Sequence, residues 1–288
     1  MDLHLKSPIK WAGGKLKIVP YIQDIIKDIK YTRYIDLFSG SLAIPLDLQI
    51  KNCILNDINF ILINLYQNIK SNLKDLLLLL KELNLDKYNC KEEFQKIKDE
   101  FNVLKFNDKF TDKEKIRLAG IFVYLNKRSF NGLYRENKSG IYNVPYRKNK
   151  SNIYDEELLK NISKYLNDNN ITFLNKSFEE YKLSFFKKGD LVYLDPPYYP
   201  SNKSKFTSYS KDGFSIEQQT QLAILCYKLH KKGIKFIMSN SPCLEVQELY
   251  KDFNMKKFYI ARQMRSAKGK SNVFESKNEP NEILIWNF

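Results

Sequence analysis

The chain has 288 residues, 43% hydrophobic and 28% charged, enough for one large core or a core domain with a sizeable insertion, and unlike a disordered segment. Its 48 Lys+Arg against 33 Asp+Glu leave a net charge of +15, which suggests a polyanionic partner. No apolar run approaches the ~20 residues of a membrane span, the first ten residues lack a signal-peptide core, and two histidines with four scattered cysteines exclude a multi-His metal site and argue against CxxC zinc or disulfides, as suits a reducing cytoplasm.

In chain order, β-branched and aromatic runs alternate with helical periodicity. A helix is expected over 15–29, a strand over 34–38, a helix over 42–49 and a strand over 53–56. Helices follow over 61–82, 91–105 and 112–124, then a loop over 126–150 rich in Gly, Asn and aromatics. Next come a helix over 155–166 and strands over 171–174 and 191–194. A helix over 215–230, a strand over 234–239, a helix over 244–250 and a strand over 283–286 complete the order. Strands separated by helices imply βαβ units, hence an α/β fold with a doubly wound, mostly parallel sheet. The stretch 60–159 breaks that rhythm and reads as a helical insertion, leaving 1–59 and 160–288 as the α/β domain.

Charge position is more telling than the total. Residues 127–150 hold seven cations (Lys127, Arg128, Arg135, Lys138, Arg147, Lys148, Lys150) against Glu136, and residues 251–277 hold eight against Asp252 and Glu275. A coding bias explains abundant lysine, but not that five of the chain's seven arginines fall in these two segments. Arginine's planar fork suits phosphate or guanine, so the expected polyanion is nucleic acid.

The strongest motif is Asp195-Pro196-Pro197-Tyr198, directly after the strand at 191–194. Ligands of open α/β sheets bind beyond the carboxyl ends of strands. Two prolines stiffen this loop and remove two donors, leaving an acceptor-only cluster beside an aromatic ring. Such a cluster suits an amino group on a flat ring. A second motif runs from Tyr34 to Leu42 through Asp36, Phe38 and Gly40, with Asp57 ending the next strand about 20 residues on, the usual place of a ribose-holding carboxylate. GxGxxG is absent, which disfavours a dinucleotide; Asp36 suits a cationic amine, so an adenosine-bearing cofactor without pyrophosphate fits better. Lys10-Trp11-Ala12-Gly13-Gly14-Lys15 is a close-approach glycine turn between cations. Finally, Phe130-Asn131-Gly132-Leu133-Tyr134-Arg135 and Asn143-Val144-Pro145-Tyr146 place an arginine among apolar groups on a basic hairpin-like loop, as groove reading and base-step wedging require.

Together these motifs, with Phe206-Thr-Ser-Tyr209, Gly213-Phe-Ser215 and Ser239-Asn-Ser241, resemble in kind and order the Dam-type DNA adenine-N6 methyltransferases (the D12 class N6 adenine-specific family), especially those of the DpnII system. The resemblance implies a Rossmann-like fold, a duplex DNA substrate and S-adenosylmethionine held by Trp11, Lys15, Asp36, Phe38, Gly40, Asp57, Phe178 and Asp195. It implies that Asp195, Pro196, Pro197 and Tyr198 hold a flipped adenine, Asp195 and the Pro196 carbonyl accepting its two N–H bonds while Tyr198, with Tyr199, stacks on the ring. In the insertion, taken as the target-recognition domain, Arg135 is expected to read guanine, Leu133 and Pro145 to touch bases, Phe130 to act as a wedge and Lys10 to approach DNA. The expected site is GATC; a cognate restriction endonuclease is an expected functional partner, and no metal is expected. Two departures stand out: Leu42 where the family has Gly or Ala, and Ser177-Phe178 where it often has Asp-Phe. The competing readings are a catalytically inactive DNA-binding module and an N-methyltransferase acting on RNA adenine or a protein amide. Pro242-Cys243 resembles a cytosine-C5 nucleophile, but a capping or buried cysteine explains it as well, and C5 chemistry does not use DPPY.

Overall fold

The computed structural model describes residues 4–198, 214–260 and 280–288. Outside these lie Tyr199, Phe206–Tyr209 and Gly213, and the larger part of the second basic segment, with Arg262, Arg265, Lys268, Lys270 and Lys277. The chain divides into two compact units, residues 1–28 with 33–178, and residues 29–32 with 179–288. Both are α/β, and strand pairing is mostly parallel, as the sequence pattern implies.

The first unit contains α1 (Val19–Ile26), β1 (Arg33–Asp36), α2 (Ala43–Asp47), β2 (Cys53–Asn56), α3 (Phe60–Ser71), α4 (Leu73–Leu83), α5 (Lys91–Leu104), α6 (Asp112–Arg128), α7 (Glu156–Asp168) and β3 (Ile171–Leu174). Its strands run parallel in the order β3-β2-β1, with Cys53 opposite both Tyr34 and Ile171. Tyr34 and Ile35 are fully buried, as in parallel strands covered on both faces. Burial and the charge of Asp36 push the Cys53 thiol up to about 12, so it is an inert core group. Helix α6 opens with a capping box of Thr111 and Glu114 and is buried from Leu118 to Asn126. At Gly120 an added Cβ would clash with the Leu79 side chain, so α4 and α6 meet over a bare backbone.

The second unit contains β4 (Asp190–Leu194), α8 (Ile216–Lys231), β5 (Lys235–Asn240), α9 (Leu244–Leu249), β6 (Asn254–Phe258) and β7 (Glu282–Trp286), with strand order β4-β5-β7-β6. The first pair is parallel and the others antiparallel.

Two expectations change. The single helix foreseen over 61–82 is two, because Asn72 leaves helical geometry (φ −129°) and bonds back to Asn68 at 3.0 Å through its side chain. Strand β6 was not foreseen; Asn-Met-Lys-Lys-Phe carries no β signature and takes its conformation from antiparallel pairing with β7.

Candidate active site

The turn after β1 is fixed by the two carboxylates singled out from sequence. Asp36 is 2% exposed, and its Oδ1 accepts from the Phe38 amide at 3.0 Å. Asp57 accepts from the Gly40 amide at 2.8 Å and from the Asn59 amide at 2.8 Å, so the end of β2 holds the glycine turn. Gly40 has φ +49°, and a Cβ there would sit 3.4 Å from the Trp11 ring, which packs over the turn. Phe38 and Phe178 face each other at 5.6 Å. Lys15 donates to the Gly13 carbonyl at 2.9 Å, closing the paired-glycine loop. The departure at Leu42 is structural too: it is buried, adopts φ +54° and begins α2, a left-handed geometry natural to glycine and strained in leucine.

In the second unit, the DPPY segment leaves β4 and is held from three elements. Register explains this. Tyr193 pairs with Ile237, and Ser239 of β5 pairs with Leu284 of β7, so alternation puts Tyr193, Ser239 and Glu282 on one face. Ser239 donates to Asp195 Oδ1 at 2.9 Å, and Tyr198 donates its hydroxyl to buried Glu282. From α8, buried Gln219 donates to the Pro197 carbonyl at 3.3 Å, and its own carbonyl accepts from Asn240 at 3.2 Å. Burial, followed by the charges of Asp195 and Glu282, pushes the Tyr198 hydroxyl well above its ordinary range, so it remains a donor. The acceptor cluster expected from sequence is therefore partly engaged by the protein: Asp195 Oδ1 and the Pro197 carbonyl each take a bond from within.

The loop over 130–146 lies in the first unit and is two-sided. Antiparallel bridges join Ser129 to Tyr146 and Glu136 to Tyr142. Leu133, Arg135, Asn143 and Pro145 are exposed, while Tyr142 and Val144 turn inward. Tyr134 and Tyr142 stand 5.5 Å apart, against Phe101 and Phe122, and Tyr134 meets Trp11 at 5.4 Å. Beneath them Lys105, whose side chain is buried, binds Glu136 and the Gly140 carbonyl, and Tyr134 donates to the same carboxylate. Phe130 is 38% exposed, and its amide donates to the Pro145 carbonyl at 2.9 Å. Arg135 Nε donates to Asn143 at 2.9 Å. Lys10 is pinned beside this loop: buried Asn126 accepts from its amide at 2.8 Å and donates to its carbonyl at 2.8 Å and to that of Gly132 at 3.0 Å.

Residues 11–264 match the model of the D12 class N6 adenine-specific DNA methyltransferases. The chain belongs to that family. It is 36% identical to the type II methyltransferase M1.LlaDCHI of Lactococcus lactis subsp. cremoris, covering 99% of this chain and 96% of the relative. It is also 36% identical to the type II methyltransferase M.MjaIII of Methanocaldococcus jannaschii, covering 99% and 100% of the two chains. The DNA adenine methylase of Escherichia coli K12 is 31% identical over 91% of this chain and 90% of its own. The protein is thus an adenine-N6 DNA methyltransferase.

Several residues that hold the candidate site of this methyltransferase together had no assigned role from sequence. Gln219, Glu282 and Tyr193 brace the DPPY segment, and Asn126 and Lys105 brace the loop. The one available signal was a polar residue ending or opening an apolar strand, as at Ser239 and Glu282. One basic residue changes character: Arg128 is 3% exposed and spends its Nη1 on the Asn149 and Ser151 carbonyls at 2.6 and 2.8 Å, so it ties the loop's far end and does not present charge. Cys243 is half-buried and occupies the N-cap position of α9. Among the described residues no cluster of three or more His, Cys, Asp or Glu could hold a metal ion, and no helix is long and apolar enough to cross a membrane.

Proposed function

We propose that this methyltransferase moves the methyl group of S-adenosylmethionine to N6 of an adenine flipped out of duplex DNA, within the sequence GATC. The observation that carries the reading is the braced acceptor set at the end of β4, where Asp195 is oriented by a hydroxyl on the next strand. The N6 lone pair is delocalised into the ring. Accepting its two N–H bonds with the Asp195 carboxylate and the Pro196 carbonyl favours a tetrahedral nitrogen and a localised pair, so Asp195 acts by orientation and electrostatics; the methylated nitrogen then loses one of its two protons, which ends in solvent. Tyr198 supplies a stacking face, and the ring is a stable platform because Glu282 holds its hydroxyl. A base inside a duplex reaches no such pocket, which is why flipping belongs to the proposal.

The residues of the first unit fit the cofactor. The buried carboxylate of Asp36, already oriented by the Phe38 amide, suits a cationic amine. Asp57 at the end of β2 is a carboxylate of the kind that accepts from ribose hydroxyls. The Phe38–Phe178 pair suits a flat purine, and Gly40 lets backbone approach closely beneath Trp11. When bound, the cofactor supplies a methyl group on a sulfonium centre.

We read 60–159 as the target-recognition part, presenting Phe130, Leu133, Arg135 and Pro145, with Lys10 beside them. Two relatives are named type II methyltransferases, which favours a modification role; a cognate restriction endonuclease and a cytoplasmic location are part of the same proposal. Incubation with labelled S-adenosylmethionine and duplexes carrying one GATC, or the same duplex with a single changed base pair, tests the whole reading. Label recovered as N6-methyladenine from GATC alone is expected. Equal labelling of all duplexes removes GATC, and no labelling of any removes the proposed chemistry.

A further inference from the structure

We infer that Ser239 and Tyr193 form a positioning relay for the Asp195 carboxylate, resting on the role proposed above for Asp195. Ser239 is fully buried and Tyr193 2% exposed. Ser239 Oγ stands 2.9 Å from Asp195 Oδ1 and 2.7 Å from the Tyr193 hydroxyl. The direction of the chain follows from proton counting. A carboxylate only accepts, so the single Ser239 proton is committed to Asp195; the Tyr193 hydroxyl must then be the donor to Ser239. Each link shares a face by strand register: Tyr193 lies two residues before Asp195, and Ser239 lies two after Ile237, the partner of Tyr193. The consequence is a carboxylate with one oxygen in a fixed direction. One anchor of its plane, and hence of the approach of the amino group it accepts from, is thereby set from inside the sheet.

Neither relay residue touches substrate in this scheme. Both act through Asp195, so their loss slows methyl transfer without weakening the binding of DNA or cofactor. Ser239→Ala is expected to lower the single-turnover methylation rate roughly 10- to 100-fold, the range of a lost hydrogen bond to a charged group. KM for DNA and for S-adenosylmethionine should stay within about twofold, and the fluorescence rise of 2-aminopurine placed at the target base should be unchanged. Tyr193→Phe keeps the ring and removes only the far donor; a loss of about three- to tenfold is expected in the native background and none in the Ser239→Ala background.

Wild type and Asp195→Ala are run alongside. An inactive wild type removes the proposed function and the relay with it. An active wild type, an inactive Asp195→Ala and a full-rate Ser239→Ala overturn the relay alone. If Ser239→Ala fails to fold, Tyr193→Phe decides: a full rate overturns the relay, and a reduced rate with unchanged KM supports it.

Discussion

The DPPY segment and the 130–146 loop are both irregular backbone, yet they are held by opposite means. Around DPPY, Asp195, Pro197 and Tyr198 each have a directional polar partner, supplied by β5, α8 and β7. The loop instead rests on a slab of rings, Tyr134 and Tyr142 over Phe101 and Phe122, with its outward side chains carried above. Hydrogen bonds fix the direction of an atom, whereas ring packing fixes the height of a surface and leaves the outer side chain its rotamers. A group that must meet a reacting nitrogen needs the first. Groups that read base edges in a groove can work with the second.

The comparison breaks most visibly at Asp195. Asp195→Ala should lower methylation by at least about 10²–10³-fold, the scale of removing one preorganised electrostatic group, while DNA affinity by fluorescence anisotropy stays near wild type. Weakened DNA binding in step with lost activity would make Asp195 part of the DNA-holding surface. The loop has comparable internal bond sets at Lys105 and at Asn126. Asn126→Ala strips partners from the Lys10 amide and from the carbonyls of Lys10 and Gly132, leaving part-buried backbone groups short. A loss of about 1–3 kcal/mol in urea unfolding is expected. A change below about 0.5 kcal/mol would show that water replaces the amide and that the loop does not depend on it. At the outer surface, Arg135→Ala should cost about 1–3 kcal/mol of discrimination at one guanine, measured as the ratio of kcat/KM on duplexes that differ at that base pair. A uniform loss on every duplex would reduce Arg135 to a phosphate contact.

What the sequence made legible follows the same division. The DPPY motif, the two carboxylates after β1 and β2, and the alternation of strands and helices are local patterns, and local patterns can be read. The exposed residues of the loop were legible because an arginine among apolar groups is anomalous on a solvated surface. The braces were not. Ser239, Gln219 and Glu282 lie tens of residues beyond Asp195; the order β4-β5-β7 brings Ser239 and Glu282 to the DPPY segment, and the packing of α8 brings Gln219. Arg128 shows the converse error. Its charge is plain in the sequence, but not that helix α6 directs it inward to two carbonyls. Charge is legible; direction is a tertiary property. Leu42 belongs here as well, since a left-handed leucine is invisible until its backbone is seen.

Asn143 gives the finest test of the contrast, because it is a directional brace on the loop's outer face. Its Oδ1 accepts from Arg135 Nε at 2.9 Å, and both residues are exposed. With Nε committed sideways, the guanidinium presents its two terminal nitrogens, the end-on fork that can span the O6 and N7 acceptors of guanine. The brace is solvent-accessible, so its net worth is about 0.5–1.5 kcal/mol and falls toward the lower end in water. Asn143→Ala should therefore erode discrimination at the guanine proposed for Arg135 by no more than about tenfold and leave urea unfolding unchanged. In an Arg135→Ala background the same substitution should do nothing, since the group it orients is gone. A loss that persists without Arg135 would mean that Asn143 touches DNA itself. A loss as large as that of Arg135→Ala would show that the outer face needs directional bonds as much as the DPPY segment does.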